Sequence, residues 1–304
     1  MILNPTAGGG RANKLWPLLE SGIAERFGHN YSSYVTRRPG DATVSVRRAI
    51  AAGATLVIAV GGDGTIQETV NGFFRNRGLL NPSCELGIVN CGTGSGLAQS
   101  LGLPPSPEQQ LDQISNRGSC AIDLGRVVLC SKDGRRVERV FASECQVGIG
   151  GAVVADVSSV HKRFGGKIAF GSVAIKKLFF LKAQPMTVRF GNNGKKTRRL
   201  LGLAVGNGAC TAGGMKLTPE AQLNDGLFDV LLMHDMSIPT RLWNFPKIYL
   251  GKHIHTPHVS IFRSGKIAIE SESPLPVAAD GELLGVTPCE IELQPAVLKV
   301  RCNL

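Results

Sequence analysis

The stretch Thr55-Leu-Val-Ile-Ala-Val-Gly-Gly-Asp-Gly-Thr65 decides the fold class of this chain. An uninterrupted apolar strand leads directly into three glycines that surround one acid, Asp63. Because glycines lack Cβ, their N–H groups form a nest for an anion beside the N-terminus of the next helix. A carboxylate among phosphates repels them unless it holds a metal ion or a proton, so Asp63 indicates Mg-nucleotide chemistry rather than passive anion binding. The alternative interpretation is a tight strand-to-helix turn with an Asp cap.

Two further segments repeat this pattern of an apolar strand followed by small residues. They run from Ile2 to Ala12 and from Leu86 to Gly96. In an open parallel α/β sheet, ligands bind beyond the carboxyl ends of the strands, so we expect all three loops to gather at one edge. The sequence contains neither a Walker A motif nor a correctly placed Gly-x-Gly-x-x-Gly. We therefore do not expect an ordinary P-loop or dinucleotide site.

The texture of the sequence changes near residue 125. Residues 1–124 alternate apolar runs with longer helical stretches, which predicts βα units and a parallel sheet covered by helices. Residues 125–286 show short strands with frequent turns, which predicts a strand-rich second domain. One helical insertion, 151–182, mixes apolar and basic residues. A helix that lies on lipid headgroups and a core helix with its lysines in solvent both explain that mixture.

The composition is that of a folded, two-domain protein. The chain has 304 residues, of which 43% are hydrophobic and 19% charged, so it can bury a substantial core. We see neither a signal peptide nor an apolar run of the roughly 20 residues that a bilayer span needs, and we expect a cytoplasmic protein. The eight cysteines include no Cys-x-x-Cys pair, which argues against zinc sites and a disulfide framework.

The formal net charge of +11 favours an anionic partner. The basic pairs are dispersed, aromatic residues make up only 6% of the chain, and no stacking platform or zinc finger accompanies them. We therefore expect no nucleic-acid binding. An anionic membrane surface fits better, because each basic residue near such a surface contributes roughly 1 kcal/mol. Peripheral membrane association is the resulting prediction.

With these loops in view, the chain resembles the diacylglycerol kinase catalytic family of lipid kinases, which includes bacterial diacylglycerol and YegS-like lipid kinases and the sphingosine kinases. The resemblance covers nearly the whole length. It is carried by an ordered set of segments: Asn4–Gly8, Thr36 with Gly40–Ala42, Gly61–Thr65 with Glu68 and Asn71-Gly72, Gly92–Gly94, Gly213–Ala221 with Asp225-Gly226, and Asp280–Glu282. Gly-Gly-Asp-Gly-Thr alone also occurs in NAD kinases, but the ordered set is more specific.

The resemblance implies a fold and a set of cofactors. The implied fold is an α/β N-terminal domain with a parallel sheet, similar to that of NAD kinases and diacylglycerol kinases, followed by a strand-rich β-sandwich C-terminal domain. Residues 287–304 would return to complete the first domain. The implied cofactors are ATP and Mg²⁺, and the implied reaction transfers the γ-phosphate to a lipid hydroxyl.

By the same resemblance, the ATP-binding residues lie in the glycine loops and beside them. They are Asn4, Thr6, Gly8, Arg11 or Lys14, Thr36, Gly61, Gly62, Gly64, Thr65, Glu68, Gly92 and Thr93. Glycine loops and a cation suit the binding of a triphosphate. Glu68 would reach the ribose or orient the loop; otherwise it is only a first-turn acid favoured by the helix dipole.

Two acids are candidates for the chemistry of transfer. Phosphoryl transfer to an alcohol needs charge neutralisation and a carboxylate that accepts the hydroxyl proton. Glu282 matches the family's Asp-Gly-Glu position, and we expect it to be the general base, with Asp63 holding Mg²⁺ directly or through water. In sphingosine kinases the acid corresponding to Asp63 is the favoured base, so the division of labour stays open. Taken alone, Asp280-Gly-Glu282 predicts a hairpin turn.

A second metal site is implied in the strand-rich domain. Some bacterial relatives hold a structural Mg²⁺ there, and the matching ligands would be Asp225 with the carbonyls of Gln222 and Leu227. A plain Asn-Asp-Gly turn explains the same residues. His253 and His255 have no carboxylate or cysteine close by in sequence, so we do not expect them to bind a metal.

One departure from the family pattern concerns the acceptor. Many bacterial relatives have an Asn-Asp pair in the third loop, where this chain has Ser95-Gly96, which is closer to the sphingosine kinases. A diacylglycerol-like and a sphingoid-like acceptor both stay open. An NAD kinase-like activity is disfavoured by the lipid-kinase segments at 213–226 and 280–282. A nucleotide- or lipid-binding relative without turnover also stays open, as does the oligomeric state, with a homodimer as one candidate.

Overall fold

The computed structural model describes residues 1–75, 78–92, 96–116, 118–131, 133–164, 166–191 and 194–302. The helices are α1 Ala7–Phe27, α2 Asp41–Ala51, α3 Asp63–Gly72, α4 Gly96–Ser100, α5 Pro107–Ser115, α6 Ile149–Phe164, α7 Gly166–Phe180 and α8 Ile238–Asn244. The strands are β1 Ile2–Leu3, β2 Tyr34–Val35, β3 Leu56–Gly61, β4 Phe74–Arg75, β5 Gly78–Leu79, β6 Glu85–Asn90, β7 Cys120–Cys130, β8 Arg136–Phe141, β9 Glu144–Gly148, β10 Gln184–Phe190, β11 Lys195–Gly206, β12 Phe228–His234, β13 Val259–Ser264, β14 Lys266–Ser271, β15 Pro276–Ala279 and β16 Glu282–Val300.

The first domain is built around β3. This strand pairs in parallel with β1 on one side and β6 on the other, and β1 pairs in parallel with β2. Alternate residues of β3 point to opposite faces. Ile58 and Val60 pack into a core with α1 and α5, whereas Val57 and Ala59 pack into a core with α2 and α3. The strand is apolar throughout because helices cover both faces of the sheet.

The second domain is rich in strands, as predicted. Its strands pair antiparallel with one another, and six of them form a closed ring in the order β11, β10, β14, β16, β15 and β9. Apolar side chains fill this ring, among them Val147, Val188, Ile269 and Val277. The ring fixes the positions of β9 and of the β15–β16 turn, which both carry acids of the site described below.

Strand β16 connects the two domains. Near its start it pairs with β15, then with β14 and β7, and at its end Val300 pairs in parallel with Leu86 of β6. Leu298 and Val300 are fully buried in the core of the first domain. A single strand therefore begins in the second domain and ends as part of the sheet of the first.

The helical insertion forms two helices, α6 and α7. Val173 and Ala174 of α7 are buried against Val153 of α6 and Phe245, which follows α8. Arg241 of α8 donates hydrogen bonds to the carbonyls of Leu178 (3.1 Å) and Leu181 (2.6 Å), which fixes α8 to the end of α7. Among the described residues, no helix combines the length and the apolar character that crossing a bilayer requires.

Candidate active site

The structure brings the loops after β1, β3 and β6 together, as expected for strands that share one sheet edge. The backbone joins them: Asn4 N donates to Val60 O (3.0 Å), and Cys91 N donates to Gly61 O (2.8 Å). A Cβ on Gly62 would lie 3.4 Å from the Cα of Gly92, so the second and third loops touch. Glycines allow this close approach.

The first loop requires glycine for a similar reason. Gly8, Gly9 and Gly10 have φ values of 62°, 68° and 91°, so the chain makes a left-handed turn before the regular part of α1 begins. A Cβ on Gly8 would lie 2.2 Å from the carbonyl oxygen of Cys91. Gly8 thus packs the first loop against the third, and no larger residue fits there.

A pocket of about 320 Å³ opens between these loops and the N-terminus of α2, and we call it the nucleotide pocket. Its volume is within the range of small-molecule sites. Seven of the residues assigned to ATP by resemblance line it: Asn4, Thr6, Thr36, Gly62, Gly64, Thr65 and Glu68. Gly8, Gly61 and Gly92 support these loops without lining the pocket, and Arg11 and Lys14 lie exposed on α1. Thr93 lies outside the described residues.

Asn4 connects two walls of the nucleotide pocket. Its Nδ2 donates to Thr65 Oγ1 (3.0 Å), and its Oδ1 accepts from the N–H (3.1 Å) and hydroxyl (2.8 Å) of Thr6. The side chain therefore holds the first loop against the start of α3. This bonding fixes the backbone N–H groups of both loops before any ligand binds.

Glu68 orients a loop. Its Oε1 accepts from Gly40 N (2.9 Å) and its Oε2 from Ala42 N (3.2 Å), so both oxygens satisfy donors at the N-terminus of α2. Free N–H groups at a helix start need such partners. Of the roles considered for Glu68, loop orientation matches these contacts.

Sequence reasoning did not assign Arg37 and Arg38 to the nucleotide site, although both line the pocket. Their side chains are exposed. Their backbone N–H groups donate to Asp41 Oδ2, at 2.9 Å from Arg37 and 3.1 Å from Arg38. These bonds, chiefly the one from Arg37, hold the pKa of Asp41 below its usual value. A sequence signal existed, since the two arginines directly follow Thr36 at the end of β2.

A second, much smaller cavity lies on the other side of α3, between the two domains, and we call it the acidic cavity. Its volume is about 20 Å³, enough for one water-sized group. Three carboxylates line it, those of Asp63, Glu144 and Asp280. The first belongs to the N-terminal domain and the other two to the C-terminal domain.

Asp63 is the first residue of α3 and is partly buried. Burial raises its pKa to about 7; the hydrogen bond from Gly96 N to its Oδ1 (3.0 Å) opposes the rise, and the negative charge of Asp280 adds to it. Asp63 therefore joins the second loop to the start of α4.

Asp280 and Gly281 form the two-residue turn between β15 and β16, which is the hairpin that the sequence predicts. Both have positive φ, 44° and 79°, as a two-residue hairpin turn requires. The Asp280 carboxylate accepts from the N–H groups of Ala142 (2.7 Å), Ser143 (2.9 Å) and Glu144 (3.0 Å). Burial nevertheless raises its pKa. Asp280 thus holds the segment that carries Glu144.

Glu282 follows this turn and lies at the rim of the site, with its side chain 45% exposed. Its Oε2 accepts from Gln67 Nε2 (3.0 Å), and its Oε1 lies 3.5 Å from the guanidinium of Arg139. Because Gln67 also lines the acidic cavity, one side chain separates Glu282 from that cavity. Gln67 therefore contacts Glu282 and lines the same cavity as Asp63.

Glu144 is the residue of this site that sequence reasoning missed. It lies on β9, is only 5% exposed, and accepts from Gln146 Nε2 (2.7 Å) through Oε1. Its Oε2 is buried without a hydrogen-bond partner. Burial raises the pKa of Glu144 to about 8. A single glutamate on a strand gives no sequence signal, because strands with exposed faces commonly carry one.

Asp225, the expected carboxylate ligand of a second Mg²⁺, is paired with an arginine. Asp225 forms an ion pair with Arg263 through Oδ2, while its Oδ1 accepts from Leu227 N (3.1 Å). The same arginine lies 3.2 Å from Asp229. A guanidinium therefore already neutralises the carboxylate that the metal would need. The site predicted at Gln222, Asp225 and Leu227 stays a prediction, and a metal ion there would have to displace Arg263 from Asp225.

The chain thus combines an α/β domain, with a pocket at its loop edge, and a strand-rich domain that adds carboxylates beside that pocket. Two family models match the chain: the diacylglycerol kinase catalytic domain over residues 1–127 and the YegS C-terminal NAD kinase beta sandwich-like domain over residues 143–302. The chain therefore belongs to the family of diacylglycerol kinases and YegS-like lipid kinases.

Similar proteins agree with this assignment. A diacylglycerol kinase of Bacillus subtilis (strain 168) is 28% identical over 298 residues, covering 95% of this chain and 91% of that protein. A protein named "Probable lipid kinase YegS-like" from Xanthomonas euvesicatoria pv. vesicatoria (strain 85-10) is 28% identical over 281 residues, covering 92% of this chain and 89% of that protein. The crystal structure of a diacylglycerol kinase from Bacillus anthracis str. Sterne superposes with a TM-score of 0.73 at 21% identity, covering 99% and 95% of the two chains. That structural likeness concerns the fold.

Proposed function

We propose that this protein is an ATP- and Mg²⁺-dependent lipid kinase that transfers the γ-phosphate of ATP to a hydroxyl group of a lipid. One observation carries the proposal: helix α3 separates the nucleotide pocket from the acidic cavity. Gly64, Thr65 and Glu68 of this helix line the pocket, while Asp63 and Gln67 line the cavity. A phosphate donor on one side and an acceptor on the other would meet at the N-terminus of α3.

The nucleotide pocket supplies what a triphosphate needs. The glycine loop offers backbone N–H groups at the positive end of α3, and Arg37 and Arg38 add cationic charge at the opposite wall. Neither group reacts with the nucleotide. Their role is to position the triphosphate and to neutralise its charge, which is the main protein contribution to phosphoryl transfer.

The carboxylate of Asp63 is a hard oxygen ligand of the kind that Mg²⁺ takes, and phosphate oxygens and water complete such sites in kinases. When bound, the ion would neutralise charge on the phosphates. In the part of the chain that the structure describes, no three acidic, histidine or cysteine side chains form a metal-binding group. Asp63 would therefore hold Mg²⁺, directly or through water, without an all-protein cage.

Glu282 would act as the general base. In the transfer step, the lipid hydroxyl oxygen bonds to the γ-phosphorus while the bond from that phosphorus to the β,γ-bridging oxygen breaks, and ADP leaves. The hydroxyl proton passes to the Glu282 carboxylate. Gln67 holds this carboxylate from one side and Arg139 from the other, so its orientation is fixed at the rim of the acidic cavity.

An exposed apolar patch supports the view that the acceptor is presented by a membrane. The patch is formed by α7, α8 and the segment that follows: Ile175, Phe179, Phe180, Ile238, Trp243 and Leu250. Phe180 is 77% exposed and Trp243 is 75% exposed, which is unusual for side chains of this size. Lys176 and Lys182 are exposed beside them, so the patch combines apolar insertion with attraction to anionic lipids. We propose that this surface rests on an anionic bilayer.

The decisive experiment is transfer of labelled γ-phosphate from ATP with Mg²⁺ to mixed micelles. Each micelle contains diacylglycerol, monoacylglycerol, sphingosine, ceramide or phosphatidylglycerol, and NAD serves as a separate soluble acceptor. We expect a labelled lipid, with loss of labelling in Asp63→Asn and Glu282→Gln. The matched control is Glu270→Gln, which changes a half-exposed glutamate on β14 and should keep wild-type activity.

The two acids have distinct signatures in this assay. Asp63→Asn should raise the Mg²⁺ concentration needed for half-maximal activity, whereas Glu282→Gln should lower kcat at an unchanged Mg²⁺ requirement. Labelled NAD would overturn the lipid proposal. ATP binding without transfer to any acceptor would instead indicate a nucleotide-binding relative without turnover.

Vesicle sedimentation tests the membrane surface. We expect binding to vesicles that contain 30 mol% phosphatidylglycerol and weaker binding to neutral phosphatidylcholine vesicles. Phe180→Ala combined with Trp243→Ala should reduce binding by about 100-fold or more, because burial of each aromatic side chain contributes roughly 1.5–3 kcal/mol. Leu18→Ala, on the first domain, is the matched control for an exposed apolar residue. Equal binding by all variants would contradict the assignment of this surface.

A further inference from the structure

A third pocket lies between the two domains, near the C-terminal end of helix α3. Its volume is about 430 Å³, and its lining includes Arg75, Arg126, Arg139 and Gln294, so we call it the basic pocket. The volume is within the range of small-molecule sites. The basic pocket shares no lining residue with the nucleotide pocket or with the acidic cavity. A ligand there would therefore occupy a site that the proposed transfer reaction does not use.

The charge of the basic pocket favours an anion. Both domains contribute arginines to it, and Glu138 is the one acid among its described lining residues. Arg126 already pairs with Glu138 (3.4 Å) and with a second glutamate, on β16. Arg75 is exposed, and no ion pair within the described residues involves it. The pocket thus keeps positive charge that carboxylates of the protein do not neutralise.

Two buried side-chain atoms of the pocket residues have no hydrogen-bond partner, Nε of Arg126 and Oε1 of Gln294. Arg126 of β7 stands opposite Glu292 of β16, and Gln294 is two positions further along β16, so both side chains lie on the same face of this strand pair. Buried polar groups are rarely left without a partner. One of the two atoms is a donor and the other an acceptor, so a ligand that pairs with both carries an acceptor and a donor.

The contact between the domains at this pocket is fixed before any ligand binds. Asn71 of α3 donates through Nδ2 to the carbonyl oxygen of Val140 (2.9 Å) and accepts through Oδ1 from the N–H of the same residue (3.1 Å). Arg126 stands opposite Val140 on the neighbouring strand β7. These bonds hold the end of α3 against β8, so a ligand would meet a preformed site. Preformed sites lower the entropic cost of binding.

Arg139 connects the basic pocket to the proposed general base. Its guanidinium lies 3.5 Å from Oε1 of Glu282, and the same residue lines the pocket. The side chain is 43% exposed, so it is not locked in place by burial. An anion in the pocket and the carboxylate of Glu282 would therefore compete for one guanidinium.

We propose that the basic pocket binds a phosphate ester that carries a free hydroxyl group, and that the bound phosphate shares Arg139 with Glu282. The phosphate oxygens accept from the arginines, which suit this group because a guanidinium presents several donors in a fixed plane. The ligand hydroxyl donates to Oε1 of Gln294. Small soluble esters and the headgroup of phosphatidylglycerol both have this chemistry. Binding itself does not depend on the proposed kinase activity, whereas the consequence for Glu282 rests on it.

Titration calorimetry with glycerol 3-phosphate, in the absence of ATP, tests the site. We expect binding to wild type, and Arg75→Gln should weaken it by about tenfold, the effect of one charge-assisted hydrogen bond. The matched control is Arg37→Ala with Arg38→Ala, which removes cations from the nucleotide pocket and should leave this affinity unchanged. Loss of binding in the control, with full binding in Arg75→Gln, would place the ester in the nucleotide pocket and overturn the proposal. Absence of binding to wild type would also overturn it.

The hydroxyl contact is tested with methyl phosphate, which has the phosphate but no hydroxyl. It should bind wild type about fivefold more weakly than glycerol 3-phosphate does, as expected for one lost hydrogen bond. Gln294→Met keeps the length of the side chain without its amide, so it should remove this difference. A difference that persists in Gln294→Met would overturn the assignment of the hydroxyl to Gln294. Thermal unfolding of each variant establishes that the fold is intact.

The link to Glu282 is tested by the same titration. Glu282→Gln removes the carboxylate that competes for Arg139, so it should tighten the binding of glycerol 3-phosphate by about twofold to fivefold, the range of an exposed ion pair. Unchanged or weaker binding would overturn the sharing of Arg139. Because no turnover is measured, failure of the lipid kinase assay would leave these results intact.

A short-chain lipid identifies the source of the ester. Dihexanoyl phosphatidylglycerol, below its micellar concentration, presents the same phosphate and hydroxyl groups on a lipid. Tighter binding of this lipid than of glycerol 3-phosphate, with the same loss in Arg75→Gln, would identify a lipid headgroup as the ligand. Tighter binding of glycerol 3-phosphate would identify a soluble ester.

Discussion

The nucleotide pocket and the acidic cavity share helix α3 as a wall, yet they are built in different ways. The pocket is large and is formed by consecutive loops of one domain, whose glycines expose backbone donors. The cavity is small and acidic, and its carboxylates come from both domains. The pocket presents donors to an anion, while the cavity presents acceptors to a donor. This difference is what the proposed phosphoryl transfer would require, with the nucleotide in the pocket.

The two regions also differ in the free-energy cost of their polar groups. The pocket exposes its polar backbone groups to water, so water satisfies their hydrogen bonds when no ligand is bound. The cavity buries Glu144 fully and Asp63 and Asp280 partly, and this loss of water contact raises the pKa of each carboxyl above its ordinary value. Substitutions in the pocket should therefore change nucleotide affinity, and substitutions in the cavity should change turnover and the pH dependence of stability.

The largest expected effect is at Asp63. Asp63→Asn removes the carboxylate proposed to hold Mg²⁺ and should lower kcat by about 10²- to 10³-fold, as the loss of a charge-stabilising group does. The affinity for ATP measured without Mg²⁺ should change less than about threefold, because Asp63 does not line the nucleotide pocket. Fluorescent-nucleotide titration and steady-state kinetics measure the two quantities. A large loss of metal-free nucleotide affinity would erase the distinction between the two regions.

A smaller effect is expected at the arginines of the nucleotide pocket. Arg37→Ala with Arg38→Ala should weaken ATP binding by about tenfold, since each is an exposed cation and contributes roughly 0.2–1 kcal/mol. The kcat at saturating ATP should stay near the wild-type value. Arg47→Ala with Arg48→Ala removes the same charge from the exposed face of α2 and is the control. The effect on ATP binding should weaken at high salt. Equal effects of both double variants would indicate only a long-range charge effect.

The pH dependence of the unfolding free energy should report the raised pKa of Glu144 in the folded state. The folded-state pKa is raised to about 8 from an ordinary value of 4.5, so the folded protein binds the proton more tightly than the unfolded chain. The stabilising contribution is complete below about pH 4.5 and is lost as the pH rises to about 8. Glu144→Gln should therefore unfold a few degrees higher than wild type at pH 8, and this advantage should disappear near pH 5. Calorimetry at a series of pH values measures the difference, and a constant difference would show that Glu144 is not buried as an acid.

The smallest effect concerns Glu68. Glu68→Gln replaces an oxygen with an N–H donor that faces the N-terminus of α2, so it should lower the unfolding free energy by about 1 kcal/mol, the typical value of a lost cap. The melting temperature should fall by about 2–4 °C. Glu25→Gln, which changes an exposed glutamate of α1, is the control. A large loss of ATP affinity without a change in melting temperature would instead assign Glu68 to the ribose.

The nucleotide pocket could be predicted from the sequence because the residues that form it stand in short, continuous motifs. A strand that ends in Gly61-Gly62 and a turn that needs Gly8 place backbone donors at a sheet edge whatever the rest of the chain does. The strand-rich character of the second domain could also be predicted from the sequence, since frequent turns separate its short strands.

Only part of the acidic cavity could be predicted from the sequence. Asp63 and Asp280 stand in recognisable motifs, but Glu144 gives no pattern, because its importance comes from burial beside residues far away in the sequence. The contact between Asp225 and Arg263 was also invisible. This ion pair joins distant segments at the expected second metal site, and spacing along the chain does not encode such a pairing.

The long strand β16 has a consequence for the order in which the protein folds. The sheet of the first domain ends at β6 until Val300 arrives beside Leu86, a partner more than 200 residues earlier in the chain. Closing so long a loop is slow, and it comes after the second domain has been synthesised. During synthesis, the backbone of β6 at Leu86 and Ile88 therefore has no strand paired along this edge. An unpaired edge of this kind can pair with an incorrect strand. A ribosome pause before β16 would prolong that exposure, so the maturation of the nucleotide-binding half depends on the timing of the other half.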